Sequence, residues 1–151
     1  MMGSLRSAAA KSLAHSGSDR FLLLEALFVL GATRLLILTV PFKRIAPHLG
    51  KQTEKKPLED DQTPSASVQR IGWAVCAVAG HTPWESACLV QAIAAKWMLQ
   101  RRRLPSTLYL GVAKDKDAPL QAHAWLRCQG SILTGASGHQ RFTVIASFAD
   151  G

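Results

Sequence analysis

The sequence predicts an α+β fold, in which N-terminal helices and a cysteine-bearing helix pack on a small antiparallel sheet. Three observations support this prediction. An apolar run of twenty residues begins at position 21, a strong helix start signal stands at position 82, and the last third of the chain alternates between apolar and polar residues. The chain has 151 residues, about the length of one domain.

The composition restricts the partners and the compartment. A formal net charge of +8 favours acidic peptides, nucleic acid or an anionic membrane surface. The basic residues are scattered except at positions 101–103, and no aromatic residues alternate with them, so we expect no nucleic-acid partner. Cys76, Cys88 and Cys128 are odd in number and lack a disulfide spacing, which predicts a reducing, cytoplasmic compartment.

The N-terminal part divides into a disordered lead-in over residues 1–20 and an apolar docking helix over residues 21–50. Its apolar run, FLLLEALFVLGATRLLILTV, could span a bilayer, but Glu25 and Arg34 lie on opposite sides of the helix. Three interpretations stay open: a helix packed in the domain or against a partner protein, a membrane-surface association, and a true span or uncleaved signal. We favour the docking helix.

The middle of the chain is less informative. Residues 51–67 are charged and punctuated by proline, which predicts a surface loop. Residues 68–80 return to apolar character and predict a short helix that ends at Gly80. The core domain is expected over residues 68–151.

The next helix has an unusually complete start signal. Thr82 suits the N-cap, Pro83 the first helical position, and Glu85 completes a capping box. Cys88 then lies in the second turn, where the helix dipole still favours a thiolate. The same helical face continues through small residues, so another element can approach it closely.

The following segments predict a sheet of three or four strands. In LQAHAWLRC the side chains alternate, with His123 and Trp125 on one face, and Gln129-Gly130 predicts a tight turn. A helix that carries Cys88 and packs on a strand that carries His123 can bring thiol and imidazole within hydrogen-bonding reach. This pair predicts acyl-transfer chemistry of the cysteine-protease kind.

Structural and other chemical interpretations compete with this hypothesis. A lone helical cysteine is usually a small buried hydrophobe, and a lone histidine on a strand is usually structural. Cys128 and His139 are expected to be structural or surface residues. The same pair could also catalyse transfer to an amine instead of hydrolysis. Five residues are of metal-ligand type, but their spacing argues against a metal site; they are Cys76, His81, Cys88, His123 and Cys128.

As a set, several motifs resemble one family. PWESACLVQAIAAKWMLQRRRLPSTLYLGV followed by AHAWLR resembles the transglutaminase-like cysteine peptidases of lasso-peptide biosynthesis, the B-protein C-terminal leader peptidases. The apolar N-terminal segment also resembles that family, so the resemblance extends over residues 21–148.

The resemblance implies a papain-like, transglutaminase-like core that removes the leader from a ribosomally made precursor peptide. It implies Cys88 as nucleophile and His123 as general base, with neither metal nor nucleotide as cofactor. It also implies two protein partners: a small leader-recognition protein and an ATP-dependent lasso cyclase. The alternative is a noncatalytic module of the same fold that binds the leader or the cyclase.

The residue that would orient the histidine is not evident. Members of the family often have an aspartate about a dozen residues after it, whereas a tight turn here places Thr134, Gly135 and Ala136 opposite His123. The hydroxyl of Thr134, a backbone carbonyl or a water molecule could take this role. An acidic residue could reach His123 only if a loop folds back; the candidates are Asp115, Asp117 and Asp150.

Overall fold

The computed structural model describes residues 17–53, 63–80, 88–114, 119–136 and 139–149. The elements in these residues form one helical layer on one five-stranded sheet, which is the α+β architecture predicted. The helices are α1 (Gly17–Thr39), α2 (Phe42–Ile45), α3 (Ala66–Ala79) and α4 (Cys88–Arg101). The strands are β1 (Lys51–Thr53), β2 (Thr107–Ala113), β3 (Gln121–Cys128), β4 (Ser131–Thr134) and β5 (Thr143–Ala149).

Helix α1 packs against α3 and α4 through one of its faces. Leu22, Ala26, Leu30 and Thr33 are buried on this face, at the i, i+4 and i+3 spacing of a helical stripe. The segment Asp19–Thr39 is long and apolar enough to cross a membrane, although 28% of its most apolar window is buried inside the protein. One face of this apolar helix is therefore packed within the domain, and its role in docking stays a prediction.

The acidic residue of this apolar helix has a structural partner. Arg102 of the chain just after α4 donates two hydrogen bonds to Glu25, of 3.0 Å to Oε1 and 2.6 Å to Oε2, and Arg101 Nη1 donates a third of 2.9 Å. These bonds, chiefly the two from Arg102, lower the pKa of Glu25. The charge that interrupts the apolar run therefore joins α1 to the cysteine-bearing helix.

Helix α3 has a cap at each end. Ser65 Oγ accepts a hydrogen bond from the Val68 N–H at 3.4 Å, so the helix begins at Ala66, two residues before the predicted start. At the other end the Gly80 N–H donates to the Cys76 carbonyl at 3.3 Å, so Gly80 is the C-cap, as expected.

Helix α4 ends in a Schellman motif. The Leu104 N–H donates to the Leu99 carbonyl and the Arg103 N–H donates to the Gln100 carbonyl, both at 3.0 Å. The position that usually holds glycine in this motif is Arg103, with φ of 57°. A residue with a Cβ is thus held in a left-handed conformation that L-residues adopt at a cost.

The strands lie in the order β1-β5-β2-β3-β4, and every pair described is antiparallel. Strands β3 and β4 are joined by the predicted two-residue turn. Gln129 and Gly130 both have positive φ, 49° and 78°, as a type I′ turn requires. Glycine adopts positive φ at little cost, and the type I′ turn matches the right-handed twist of the two strands.

Two predicted boundaries were wrong. Residues 51–67 were expected to be a loop, but Lys51–Thr53 forms an edge strand on β5, giving five strands instead of three or four. These three residues are polar and show no alternation with apolar residues, and only the free edge of β5 makes them a strand. In addition, α1 starts at Gly17, within the lead-in expected at residues 1–20; residues 1–16 lie outside the described part.

The core lies between the helices and one face of the sheet. It combines Ile71 and Val75 of α3 with Ile93 and Leu99 of α4, all at most 1% exposed. The sheet contributes four fully or nearly buried apolar side chains of β2, β3 and β5: Leu108, Ala124, Leu126 and Phe148. Helix α4, which carries Cys88, contacts β2, β3 and β4 through this core. These contacts fix its position relative to the sheet.

Candidate active site

Strand β3 presents His123 on the face of the sheet that does not join this core. Ala124, Leu126 and Cys128 belong to the core beneath the helices, and alternation along the strand places His123 and Trp125 on the other face. The alternation agrees with the sequence prediction. The half-buried imidazole therefore lies on the side of the sheet away from α3 and α4.

A backbone carbonyl holds the imidazole of His123. His123 Nε2 lies 2.7 Å from the Gly135 oxygen. Because a carbonyl oxygen can only accept, Nε2 carries the proton, and in the neutral ring the lone pair is on Nδ1. The bond fixes the orientation of the ring and leaves Nδ1 as its acceptor nitrogen; the partner is a backbone carbonyl, one of the groups considered from the sequence.

Glycine is required at the position that supplies this carbonyl. Gly135 has φ of 72°, and a Cβ there would lie 2.3 Å from the Ala124 carbonyl oxygen and 3.0 Å from Trp125 Cβ. Both the backbone conformation and the lack of space exclude a side chain. In the sequence this glycine is only a residue that follows a predicted strand, and that position does not indicate a contact with His123.

Aromatic rings enclose His123. The ring of Phe142 stacks on His123 with a centroid distance of 4.9 Å, and the ring of Trp125 stacks on it at 5.9 Å. Trp125 in turn stacks on Tyr109 of β2 at 5.6 Å and lies 5.7 Å from the ring of His139. These rings form an aromatic wall that limits the motion of the imidazole. Trp125 and Tyr109 are each 4% exposed, whereas Phe142 and His139 are half-buried.

Two further residues contribute to the aromatic wall: Gly111 leaves room for its rings, and Arg141 packs on one of them. Gly111 pairs with His123 in the register of β2 and β3, and a Cβ at Gly111 would lie 2.9 Å from Phe142 Cβ and 3.0 Å from Trp125. Arg141 lies 5.5 Å above the Phe142 ring and donates a hydrogen bond of 3.0 Å to Gln121. Sequence reasoning missed Gly111 and Phe142, because only the register of distant strands brings them to the histidine.

The hydroxyl predicted to orient the histidine lies elsewhere. A register shift between Leu126 and Arg127 pairs Thr134 with Leu126, and Thr134 is 1% exposed. Its Oγ1 has no hydrogen-bond partner within the part of the chain that the structure describes. The bond to His123 therefore comes from the carbonyl of the next residue, Gly135.

Burial also affects an ionisable group of the wall. Desolvation, more than any neighbouring charge, raises the pKa of Tyr109. The phenol therefore stays neutral at physiological pH. Its ring is buried and stacks on Trp125.

Cys88 is the first residue of α4 that the structure describes. Its side chain is partly buried, packs against the core and belongs to no disulfide. The capping residues predicted before it, Thr82, Pro83 and Glu85, lie outside the described residues, as do Trp84 and His81. The predicted small face is present, since Ala92 and Ala95 are completely buried.

The helix that carries the thiol packs on the strand that carries the imidazole, as expected from the sequence. Their side chains, however, lie on different sides: Cys88 packs with the core beneath the helices and His123 lies on the other face of β3. Within the described ranges no hydrogen bond joins the two. The Cys88 and His123 pair stays a prediction.

The remaining residues of ligand type are dispersed. Cys76 donates to the Leu133 carbonyl at 3.5 Å, and Cys128 donates to the Pro105 carbonyl at 3.3 Å. Among the described residues, no group of three or more histidine, cysteine, aspartate or glutamate side chains could hold a metal ion. Three acidic residues considered as orienting groups lie outside the described residues: Asp115, Asp117 and Asp150.

Comparison with known proteins identifies a family. The sequence model of a family described as the transglutaminase-like superfamily matches residues 36–147, which include both Cys88 and His123. The match extends from the last turn of α1 into β5 and so contains the whole sheet except the last two residues of β5. Searches of the curated proteins and of the solved structures gave no match.

Proposed function

Since the chain belongs to the transglutaminase-like superfamily, we propose that it is a cysteine peptidase that removes the leader from a lasso precursor peptide. A transglutaminase-like fold is compatible with cysteine peptidase activity. The leader-removing role rests on the motifs around Cys88 and His123 that resemble lasso-peptide leader peptidases. The protein is proposed to act in the cytoplasm, with a leader-recognition protein and an ATP-dependent cyclase as partners.

The single observation that carries the catalytic proposal is the bond from His123 Nε2 to the Gly135 carbonyl. It leaves the lone pair of Nδ1 for a proton, which is the state a general base requires. The carbonyl dipole also stabilises the imidazolium, though less than a carboxylate would. We therefore expect activity with a modest kcat. Loss of an orienting carboxylate often lowers kcat less than loss of the nucleophile or the base does.

In the proposed reaction Cys88 Sγ gives its proton to His123 Nδ1 and the thiolate attacks the carbonyl carbon of the scissile peptide bond. The imidazolium then protonates the leaving amine of the core peptide, which departs as the C–N bond breaks. Water, deprotonated by the same imidazole, hydrolyses the thioester and releases the leader with a free carboxyl group. The Cys88 N–H is the expected donor to the oxyanion.

The proposal requires the thiol and the imidazole to meet, and thiol alkylation tests this directly. A thiolate paired with an imidazolium reacts with iodoacetamide at a pH well below the ordinary thiol pKa. We expect Cys88 to be alkylated rapidly near pH 6 in the native protein and on the order of tenfold more slowly in His123→Ala. Cys76 serves as the internal control. Equal rates at Cys88 in the two proteins would disprove the pair.

The function itself is tested by mass spectrometry of a lasso precursor incubated with the protein and the leader-recognition partner. We expect leader release by the native protein and by Cys128→Ala, and none by Cys88→Ala. Product mass separates the two acyl transfers, because hydrolysis adds one water to the leader whereas transfer to an amine does not. An intact precursor in the native sample would contradict the proposal.

A second function is favoured by the separation of Cys88 and His123 across the plane of β3. In this alternative the protein is a noncatalytic module that binds the leader or the cyclase, and the aromatic wall is a peptide-binding surface. Its distinguishing outcome is normal precursor maturation with Cys88→Ala in the complete system, together with loss of maturation when Phe142 is changed to serine.

A further inference from the structure

Helix α1 has an exposed apolar face that the domain does not use. Large apolar side chains follow this face along nearly the whole helix, and Phe28 and Phe21 are the most exposed, at 76% and 69%. Exposed apolar patches of this extent mark interaction sites. This apolar stripe consists of Phe21, Leu24, Leu27, Phe28, Leu35 and Leu38.

The opposite face fixes the helix in the domain. Leu22, Ala26 and Leu30 are buried against the core, and Glu25 accepts hydrogen bonds from Arg101 and Arg102. Crossing a membrane would expose this packed face and break these bonds. The helix therefore meets any lipid with its axis along the membrane surface, as interfacial helices do.

The charges around the apolar stripe are positive. Both acidic side chains of α1 have basic partners away from it: Asp19 accepts from Arg70, and Glu25 accepts from Arg101 and Arg102. Arg20, in contrast, is exposed and lies four residues before Leu24, on the same face of the helix. Charge on this side therefore complements an anionic surface.

A cleft opens at the amino end of the apolar stripe. It has a volume of about 270 Å³, and Phe21, Arg70 and Arg102 are among its lining residues. The side chains of Arg70 and Arg102 are 44% and 34% exposed there. Both guanidinium groups are bonded to carboxylates, Arg70 to Asp19 and Arg102 to Glu25, so what the cleft adds is the exposed apolar surface of Phe21, which suits an acyl chain.

We propose that the apolar stripe of α1 docks the protein, parallel to the surface, on a membrane that contains anionic lipids. Between Phe21 and Leu38 the stripe extends about 25 Å along the helix, and none of its side chains can form a hydrogen bond. Such a face gives little specificity for a protein partner but suits acyl chains. This inference does not depend on the proposed peptidase activity.

The experiment is flotation of the full chain with two kinds of vesicle: phosphatidylcholine alone, and phosphatidylcholine mixed with phosphatidylglycerol in equal parts. We expect the native protein to float with the anionic vesicles, and less of it at high salt because salt screens the charges. Leu24→Ser with Phe28→Ser should lower binding by on the order of tenfold or more. These side chains are exposed, so circular dichroism should show an unchanged fold.

The matched control is Leu120→Ser with Ile145→Ser, which removes two apolar side chains that are 64% and 53% exposed outside the apolar stripe. It should bind like the native protein. Three outcomes would overturn the proposal: no flotation with anionic vesicles, equal loss in both double variants, or equal binding to both kinds of vesicle. A native dimer that Leu24→Ser with Phe28→Ser turns into a monomer would instead assign the stripe to a second copy of the chain.

Discussion

The imidazole of His123 is held by the backbone of Gly135, with 2.7 Å between Nε2 and the carbonyl oxygen. The acceptor is a backbone atom, so no side-chain substitution removes it directly. It is maintained by a loop conformation that depends on glycine, since Gly135 has φ of 72°. The orientation of the His123 imidazole thus depends on the turn after β4, and substitutions in that turn test this dependence.

Gly135→Ala should reduce activity and stability together. The new Cβ would clash with the Ala124 carbonyl, so the loop must move and carry the orienting oxygen away from His123. We expect a loss of about 2–4 kcal/mol in the free energy of unfolding and a lower kcat with a changed pH profile. Chemical denaturation and precursor cleavage across pH measure these effects.

Gly80→Ala is the control for that change. Gly80 has φ of −72°, and a Cβ there would lie 3.7 Å or more from other atoms. Its stability should stay within about 1 kcal/mol of the native value, with unchanged activity. If Gly135→Ala behaved in the same way, the carbonyl would have no role in orienting His123.

Thr134→Val tests whether the threonine hydroxyl contributes to catalysis. Thr134 is buried, and its Oγ1 has no hydrogen-bond partner in the described residues. Valine has the same shape without an unsatisfied polar atom, so stability should stay equal or rise by about 1 kcal/mol. Cleavage should proceed at the native rate. A large fall in kcat with native stability would show that Thr134, and not Gly135, orients the base.

Glu25→Gln should weaken the connection between α1 and the end of α4. The carboxylate accepts three hydrogen bonds, and its neutral replacement loses the charge assistance. We expect a loss of about 1–2 kcal/mol near neutral pH, limited because the arginines are partly exposed and solvent screens them.

The pH dependence of Glu25→Gln follows from the pKa of Glu25, which folding lowers from its ordinary value of 4.5. The stabilisation is complete above 4.5 and is lost as the pH falls through the lower pKa of the folded state. The difference in stability between native protein and variant should therefore shrink in acid. A double-mutant cycle with Arg102→Gln isolates the pair; a coupling energy near zero at pH 7 would contradict the assignment.

Arg103→Gly should stabilise the protein. Arg103 occupies the left-handed position of the Schellman motif, where glycine avoids the steric cost. The gain is reduced by the greater entropy of glycine in the unfolded chain, so we expect about 0.5–1 kcal/mol and a raised Tm. Arg102→Gly, one residue earlier, lacks the positive φ and removes the bonds to Glu25, so it should lower Tm. A lower Tm for Arg103→Gly would contradict the assigned end of α4.

The sequence by itself determined the order of the longer elements, because each of these was encoded locally, whereas β1 was not. The proline and arginine signals at the end of α4, the Gln129-Gly130 turn and the alternation around His123 depend on neighbouring residues only. The motifs around Cys88 and His123 indicated a transglutaminase-like protein, and the sequence model of that superfamily matches residues 36–147.

Only the tertiary structure decided what surrounds His123 and which charges meet. Gly135 reaches the imidazole because a register shift displaces β4 by one residue, and Phe142 reaches it from another strand connection. Glu25 meets Arg102 across 77 positions of the chain. Such contacts arise from strand register and helix packing, which depend on the combined burial of many side chains and have no signal in any short segment.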